Sequence, residues 1–83
     1  VYNGLGNAYV QKKDYPKALT YFEKAAGSKS GSAFASSIHE NMGRSYEAMK
    51  DTKNALAQYK KALEKAIDPA MKELLQRRIA SLG

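Results

Sequence analysis

The chain lacks several residue types, and each absence excludes a class of site. Its 83 residues include no cysteine, which rules out disulfide bonds and thiolate metal ligands. No run of about 18 apolar residues occurs, so we predict no membrane insertion. The chain has a single histidine, and its serines have no evident base beside them. We therefore predict no enzyme active site, no cofactor and no metal.

Four types of large apolar residue are also scarce. Leu, Ile, Val and Phe make up 14 of the 83 residues, a fraction that by itself is typical of disordered chains. Thirteen alanines and six tyrosines compensate, because alanine favours helix and small residues beside aromatic rings let helices pack closely. The composition therefore predicts an all-α fold. Its surface is basic, since 14 Lys and Arg against 8 Asp and Glu give a net charge of +6.

The sequence repeats itself at an offset of 37 residues. Eight identities link the two copies: Gly6/Gly43, Tyr9/Tyr46, Lys13-Asp14/Lys50-Asp51, Ala18-Leu19/Ala55-Leu56 and Lys24-Ala25/Lys61-Ala62. In each copy an aspartate, Asp14 or Asp51, lies between two apolar stripes at helical spacing and can cap the second helix. Each copy therefore predicts a helical hairpin.

Apolar residues at steps of three and four define the predicted helix faces. In the first copy the two faces are Tyr2, Leu5, Gly6, Tyr9 and then Ala18, Leu19, Phe22, Ala25, Ala26. A Gly- and Ser-rich segment, residues 27–32, predicts a loop. In the second copy the faces are Phe34, Ile38, Met42, Tyr46, Met49 and then Ala55, Leu56, Tyr59, Ala62, Leu63, Ala66. Asp68-Pro69 begins a fifth helix with Met71, Leu75, Ile79 and Leu82 on one face.

The predicted architecture is an α-solenoid of five helices, built from antiparallel helix–turn–helix repeats. Residues 1–32 form the first repeat and residues 33–68 the second. Residues 69–83 form a capping helix or the first helix of a third repeat, with Gly83 as the glycine of that unit. Because the chain opens at Val1 without a start methionine, we expect it to be a piece of a longer protein.

These residues resemble the signature of the tetratricopeptide repeat (TPR). That signature has a large apolar residue, Leu-Gly and Tyr on the first helix, then Ala, Phe and Ala on the second. It is matched by Tyr2, Leu5, Gly6, Tyr9, Ala18, Phe22, Ala25 and again by His39, Met42, Gly43, Tyr46, Ala55, Tyr59, Ala62. The offset of 37 residues exceeds the usual length of about 34. The resemblance implies a non-catalytic scaffold for protein–protein interaction.

In this family the first helix of each pair lines a concave groove, so the resemblance implies that a protein or peptide partner binds there. On the first helix Asn3, Asn7 and Gln11 recur on the side away from Leu5 and Tyr9, and such amides can bond a peptide backbone. The corresponding residues farther along the chain are Ser37, Glu40, Asn41, Arg44 and Arg77.

Three alternatives bear on the kind of partner. A clamp for an acidic C-terminus, known in some members, is disfavoured because Asn3 and Ser81 stand where that clamp has Lys and Arg. Specific nucleic-acid binding is disfavoured because the basic charge is spread over the chain and the tyrosines fall mostly in helix stripes. A dimerisation or signal-sensing module of a larger regulatory protein, with self-association through the end helices, remains the alternative function.

Overall fold

Five α-helices make up most of residues 2–27 and 35–82, the part of the chain that the computed structural model describes. They are α1 (Tyr2–Gln11), α2 (Tyr15–Gly27), α3 (Ala35–Ala48), α4 (Thr52–Lys65) and α5 (Pro69–Leu82). The predicted all-α fold of five helices is confirmed. Within the predicted loop, Gly27 is instead the last residue of α2, while the rest of that loop and Phe34 lie outside the described residues.

Each helix packs against the next helix in the chain, and α1 also contacts α3. Two three-residue turns, residues 12–14 and 49–51, connect the helices within each hairpin. Lys13 and Lys50 occupy the left-handed region in these turns, with φ of 62° and 63°. The amides of the two following aspartates donate back to Tyr9 and Tyr46 at 2.9 Å, which closes the same helix-ending motif in both repeats.

The three predicted caps are present at the starts of α2, α4 and α5. The Asp51 carboxylate accepts from the Asn54 amide at 3.3 Å, and the Asp14 carboxylate accepts from the Lys17 amide at 3.5 Å. The Asp68 carboxylate accepts from the Ala70 amide at 3.0 Å, and Pro69 is the first residue of its helix. Each cap satisfies an amide that has no partner inside its helix.

Gly6 and Gly43 let the two helices of each hairpin approach closely. A Cβ atom at Gly6 would lie 2.5 Å from the Phe22 ring, and one at Gly43 would lie 2.6 Å from the Tyr59 ring. Both rings are fully buried. The mid-helix glycines are therefore required by packing.

The core consists of two clusters that follow the repeats. The first joins α2 to α3 through Ala18, Leu19, Phe22, Ala25, Ile38 and Met42. The second joins α4 to α5 through Ala55, Tyr59, Ala62, Ala66 and Leu75. Tyr46 is half-buried and packs against both clusters. The core is thus continuous across the repeat boundary, as in a stacked array.

Two predicted faces are less buried than expected. On α1, Leu5 is 40% exposed, because no described helix lies against its side of α1, and Tyr2 is 43% exposed although its ring stacks on Tyr21 of α2. Met49 follows the end of α3 and is 37% exposed. A helical stripe identifies an apolar face, but burial also needs a second element to cover it.

Candidate partner-binding groove

Polar contacts link the first helices of successive units. Between α1 and α3, the Asn41 side-chain amide donates to the Asn3 side-chain oxygen at 3.2 Å. Between α3 and α5, the Arg78 Nε atom lies 3.7 Å from a carboxylate oxygen of Glu40. Each contact spans 38 residues, and one is displaced from the other by 37 residues, the repeat offset. Equivalent positions in successive units are therefore bridged by a polar contact.

This equivalence sets the register of α5 within the repeat. It aligns Arg78 with Asn41, Leu75 with Ile38 and Ala80 with Gly43. Leu75 and Ile38 are both buried, at 0% and 2% exposure, which agrees with that alignment. The predicted register instead gave the glycine position to Gly83, a residue outside the described part of the chain. The contacts therefore support a second spacing of 37 residues, from Gly43 to Ala80, rather than the 40 residues that separate Gly43 from Gly83.

The predicted groove residues divide into two groups by exposure. Asn7, Gln11 and Arg44 are exposed, while Asn3 and Asn41 are half-buried and bonded to each other. We call the surface that α1, α3 and α5 present at these residues, together with Arg78, the groove face. Its exposed amides, Asn7 and Gln11, lie on α1 and its cations lie on α3 and α5, so it offers exposed hydrogen-bond donors and acceptors at one end and positive charge at the other.

Three other residues that were predicted for the groove have different surroundings. Glu40 is buried at 8% exposure, and its carboxylate lies 3.7 Å from the Nε atom of Arg78 on α5. Arg77 is exposed and donates to Glu73 of its own helix at 2.6 Å, so Arg78 rather than Arg77 reaches α3. Ser37 is half-buried and lines a separate cavity of about 310 Å³ with Ile67 and Met71.

A cavity of about 220 Å³ lies on the groove face between α3 and α5. Arg44, Glu47, Ala48 and Arg78 line it. The Glu47 carboxylate accepts a hydrogen bond from the Tyr59 hydroxyl at 2.7 Å, and the Arg78 guanidinium lies 5.8 Å from the centre of the Tyr59 ring. Glu40 and Glu47 are therefore both engaged within the protein, whereas Arg44 is exposed to a ligand in the cavity. The cavity wall therefore carries two guanidinium groups and the carboxylate of Glu47.

Sequence reasoning missed Arg78 and Tyr59 as parts of this site. Tyr59 occupies a core position of the signature, and nothing in its spacing shows that its hydroxyl reaches α3. Arg78 could have been found, because the 37-residue offset aligns it with Asn41, a residue that was predicted.

Two tyrosines, Tyr59, which is buried, and Tyr46, which is half-buried, should make the chain less stable at alkaline pH. Burial and the hydrogen bond to Glu47 raise the pKa of Tyr59 above its ordinary 10.0, and burial together with the charge of Glu23 raises the pKa of Tyr46. The unfolded chain therefore loses these protons at a lower pH than the folded chain. The stabilisation of the fold by these two protonated tyrosines is complete below about pH 10. It is lost as the pH rises through their folded-state pKa values.

We expect the Tm to fall above about pH 10, and to fall less steeply in Tyr59→Phe, which has no hydroxyl to titrate at this position. Circular-dichroism melting at several pH values measures both slopes. Equal slopes for the wild type and the variant would contradict the role given to Tyr59.

Neither a metal centre nor a spanning helix is found in the described residues. None of their His, Asp and Glu side chains form a group of three that could hold a metal ion, and none of their helices is long and apolar enough to cross a membrane.

Comparison with protein families shows that most of the chain matches a known family. The family described as "Tetratricopeptide repeat" matches residues 1–68, which cover both hairpins. No curated protein sequence matches the chain at a significant level.

Proposed function

The chain belongs to the tetratricopeptide repeat family, a family of protein–protein interaction scaffolds, and we propose that it holds a peptide segment of a partner protein against the groove face. The observation that carries this proposal is the 220 Å³ cavity with two arginines, Arg44 and Arg78, in its wall. Repeats of this kind are typically non-catalytic, and we propose no reaction for the chain.

The mechanism is geometric. The contacts Asn3–Asn41 and Glu40–Arg78 hold α1, α3 and α5 side by side before any partner arrives. An extended peptide then binds a surface that is already ordered, so the entropy cost of binding falls mainly on the peptide. Exposed amides of Asn7 and Gln11 bond its backbone, and Arg44 pairs with an acidic side chain at the cavity.

Two variants of equal charge change test the groove. The groove variant combines Asn7→Glu, Gln11→Glu and Arg44→Glu, all at exposed positions, and lowers the net charge from +6 to +2. The control variant combines Lys53→Glu and Lys60→Glu, exposed on α4, and lowers it by the same amount. Both variants must keep the helical circular-dichroism signal of the wild type.

The experiment is a lysate pull-down followed by titration of the captured protein with each variant. We expect the control variant to keep the partner and the groove variant to lose at least about tenfold in affinity, equivalent to about 1.4 kcal/mol. Equal loss in both variants would mean that net charge rather than the groove decides binding. Equal retention in both would place binding on another surface.

The alternative function, a dimerisation or signal-sensing module, is supported by one observation. Tyr2 and Leu5 are exposed apolar residues on α1. Sedimentation over a range of concentrations separates the two functions. A mass that doubles with concentration supports dimerisation, while a constant monomer mass supports the scaffold.

A further inference from the structure

The two arginines of the groove-face cavity differ in their partners within the protein. The Nε atom of Arg78 lies 3.7 Å from a carboxylate oxygen of Glu40, and its guanidinium lies 5.8 Å from the centre of the Tyr59 ring. Arg44 is exposed, and it pairs with no carboxylate in the part of the chain that the structure describes. The cavity therefore offers one cation that is already paired and one that is not.

Burial distinguishes the Glu40–Arg78 pair from an ordinary surface ion pair. The side chains of Glu40 and Arg78 are 11% and 31% exposed. Those of Glu73 and Arg77, which pair with each other within α5, are 64% and 77% exposed. Charges that are partly withdrawn from water attract each other more strongly and are screened less by salt. Glu40 is therefore a strong competitor for any carboxylate that approaches Arg78.

The pair is not a complete hydrogen-bonded contact. The separation of 3.7 Å is longer than an N–H···O hydrogen bond, and the buried Nε atom of Arg78 has no hydrogen-bond partner among the described residues. Arg78 thus keeps donors that a ligand carboxylate could use. The charge of Glu40 is what opposes such a ligand, because like charges placed side by side repel each other.

The equivalent position in the preceding unit is bridged without charge. At the 37-residue offset Glu40 corresponds to Asn3 and Arg78 corresponds to Asn41. These two asparagines bond to each other at 3.2 Å. Contact between neighbouring first helices therefore does not require an ion pair, and Glu40 and Arg78 add charge where packing alone does not demand it.

We propose that Glu40 sets the specificity of the groove face by occupying Arg78 as an internal carboxylate. With Arg78 paired, Arg44 is left to receive one carboxylate of the bound segment. A second, adjacent carboxylate is rejected, because it would have to compete with Glu40 and would also meet Glu47 at the cavity wall. The groove face therefore selects a segment with an isolated acidic residue over an acidic run. This inference rests on the proposed function, since it states which peptide segment the same surface accepts.

Acetate, a bare carboxylate, tests the two arginines in the wild-type chain. The chain contains three arginines, so the Nε–H signals of the isotope-labelled protein can be assigned one by one. When acetate replaces chloride at constant ionic strength, we expect the signal of Arg44 to shift and that of Arg78 to stay in place. Comparable shifts at both would overturn the proposal, because Arg78 would then be open to carboxylates despite Glu40.

Peptides test the selectivity itself. Three end-blocked hexapeptides of Ala and Asn carry no Asp, one Asp or two adjacent Asp residues, and each is titrated into the labelled chain. We expect the wild type to bind the two-Asp peptide no more tightly than the one-Asp peptide. In Glu40→Gln the side chain keeps an oxygen for Arg78 but loses its charge, so the affinity ratio should rise about tenfold in favour of the two-Asp peptide. A merely structural effect would change both affinities alike.

Two further variants serve as controls. Glu73→Gln raises the net charge of +6 by one, as Glu40→Gln does, but acts on the exposed pair with Arg77 and should leave the ratio unchanged. The double variant Glu40→Asn with Arg78→Asn copies the neutral bridge of the preceding unit, so it has a precedent within this fold. It should lack the gain for the two-Asp peptide, because no second cation is released.

The proposal is overturned if Glu40→Gln leaves the ratio unchanged, or if Glu73→Gln raises it equally, because net charge would then be the cause. It is also overturned if the gain persists in the double variant, because Arg78 would then not be its source. A one-Asp peptide that leaves the amide signals of Asn7 and Arg44 unchanged would count against the proposed function instead. The acetate titration does not depend on peptide binding, and it would still decide whether Glu40 keeps carboxylates from Arg78.

Discussion

Gly43→Ala is expected to destabilise the chain by about 2 kcal/mol, although alanine is the better helix former by about 1 kcal/mol. The added methyl group would lie 2.6 Å from the Tyr59 ring. Because that ring is fully buried and its hydroxyl is bonded to Glu47, it cannot move aside without losing contacts. Denaturant unfolding followed by circular dichroism measures the difference.

Gly4→Ala is the matched control. Gly4 also lies within a helix, but no atom outside its own helical surroundings lies within 4 Å of the added Cβ. This substitution should therefore stabilise the chain by up to about 1 kcal/mol. If the two substitutions shift the unfolding midpoint in the same direction, the close approach of α3 and α4 is not what requires Gly43.

A double variant identifies the contact responsible. In Gly43→Ala with Tyr59→Leu the ring is removed, so the added methyl group should cost less than it does in the wild-type background. We expect a coupling energy of about 1–2 kcal/mol between the two positions. Additive effects would mean that the methyl group acts through some other neighbour.

Leu75→Ala is expected to cost about 3 kcal/mol, in the middle of the range for emptying a buried leucine site. Leu75 is fully buried in the second cluster, where α5 also contributes the partly buried Met71, Ile79 and Leu82. In an array each helix depends mainly on its neighbours, so the loss should fall first on α5. Hydrogen exchange of the amides of residues 69–82, beside denaturant unfolding, measures both effects.

Leu74→Ala supplies the control for this substitution. Leu74 is the neighbouring leucine on the same helix and is 40% exposed. Its replacement removes the same atoms from a site that solvent already reaches, so we expect a cost below about 1 kcal/mol. Equal costs for the two substitutions would contradict the burial of Leu75 and the exposure of Leu74 in the structure.

Much of the fold could be predicted because the same residue pattern occurs in both copies of the repeat. The pairing of Gly6 with Phe22 and of Gly43 with Tyr59 follows from a mid-helix glycine and a large ring recurring at one offset, since a helix interior tolerates such a glycine only where packing needs it. The caps at Asp14, Asp51 and Asp68 follow from local chemistry alone, because a cap and its amide lie within three residues of each other.

The candidate site could be predicted only in part. The exposed amides on α1 follow from helical spacing, whereas the choice between Arg77 and Arg78 depends on how α5 rotates about its own axis. Adjacent helical residues differ by about 100° in direction, so a small error in the assumed face exchanges one arginine for the other. The burial of Glu40 likewise involves a residue distant in the sequence, since its carboxylate lies 3.7 Å from Arg78.

The sequence by itself thus determined the repeat, the helix boundaries set by caps and the residues that form the apolar stripes, because these depend on contacts local to each hairpin. The tertiary structure alone decided which stripes are covered. Met42 is buried and Leu5 exposed at equivalent positions, because α2 lies against α3 while no described helix lies against the same side of α1. Burial is a property of two surfaces, and the sequence of one helix specifies only its own.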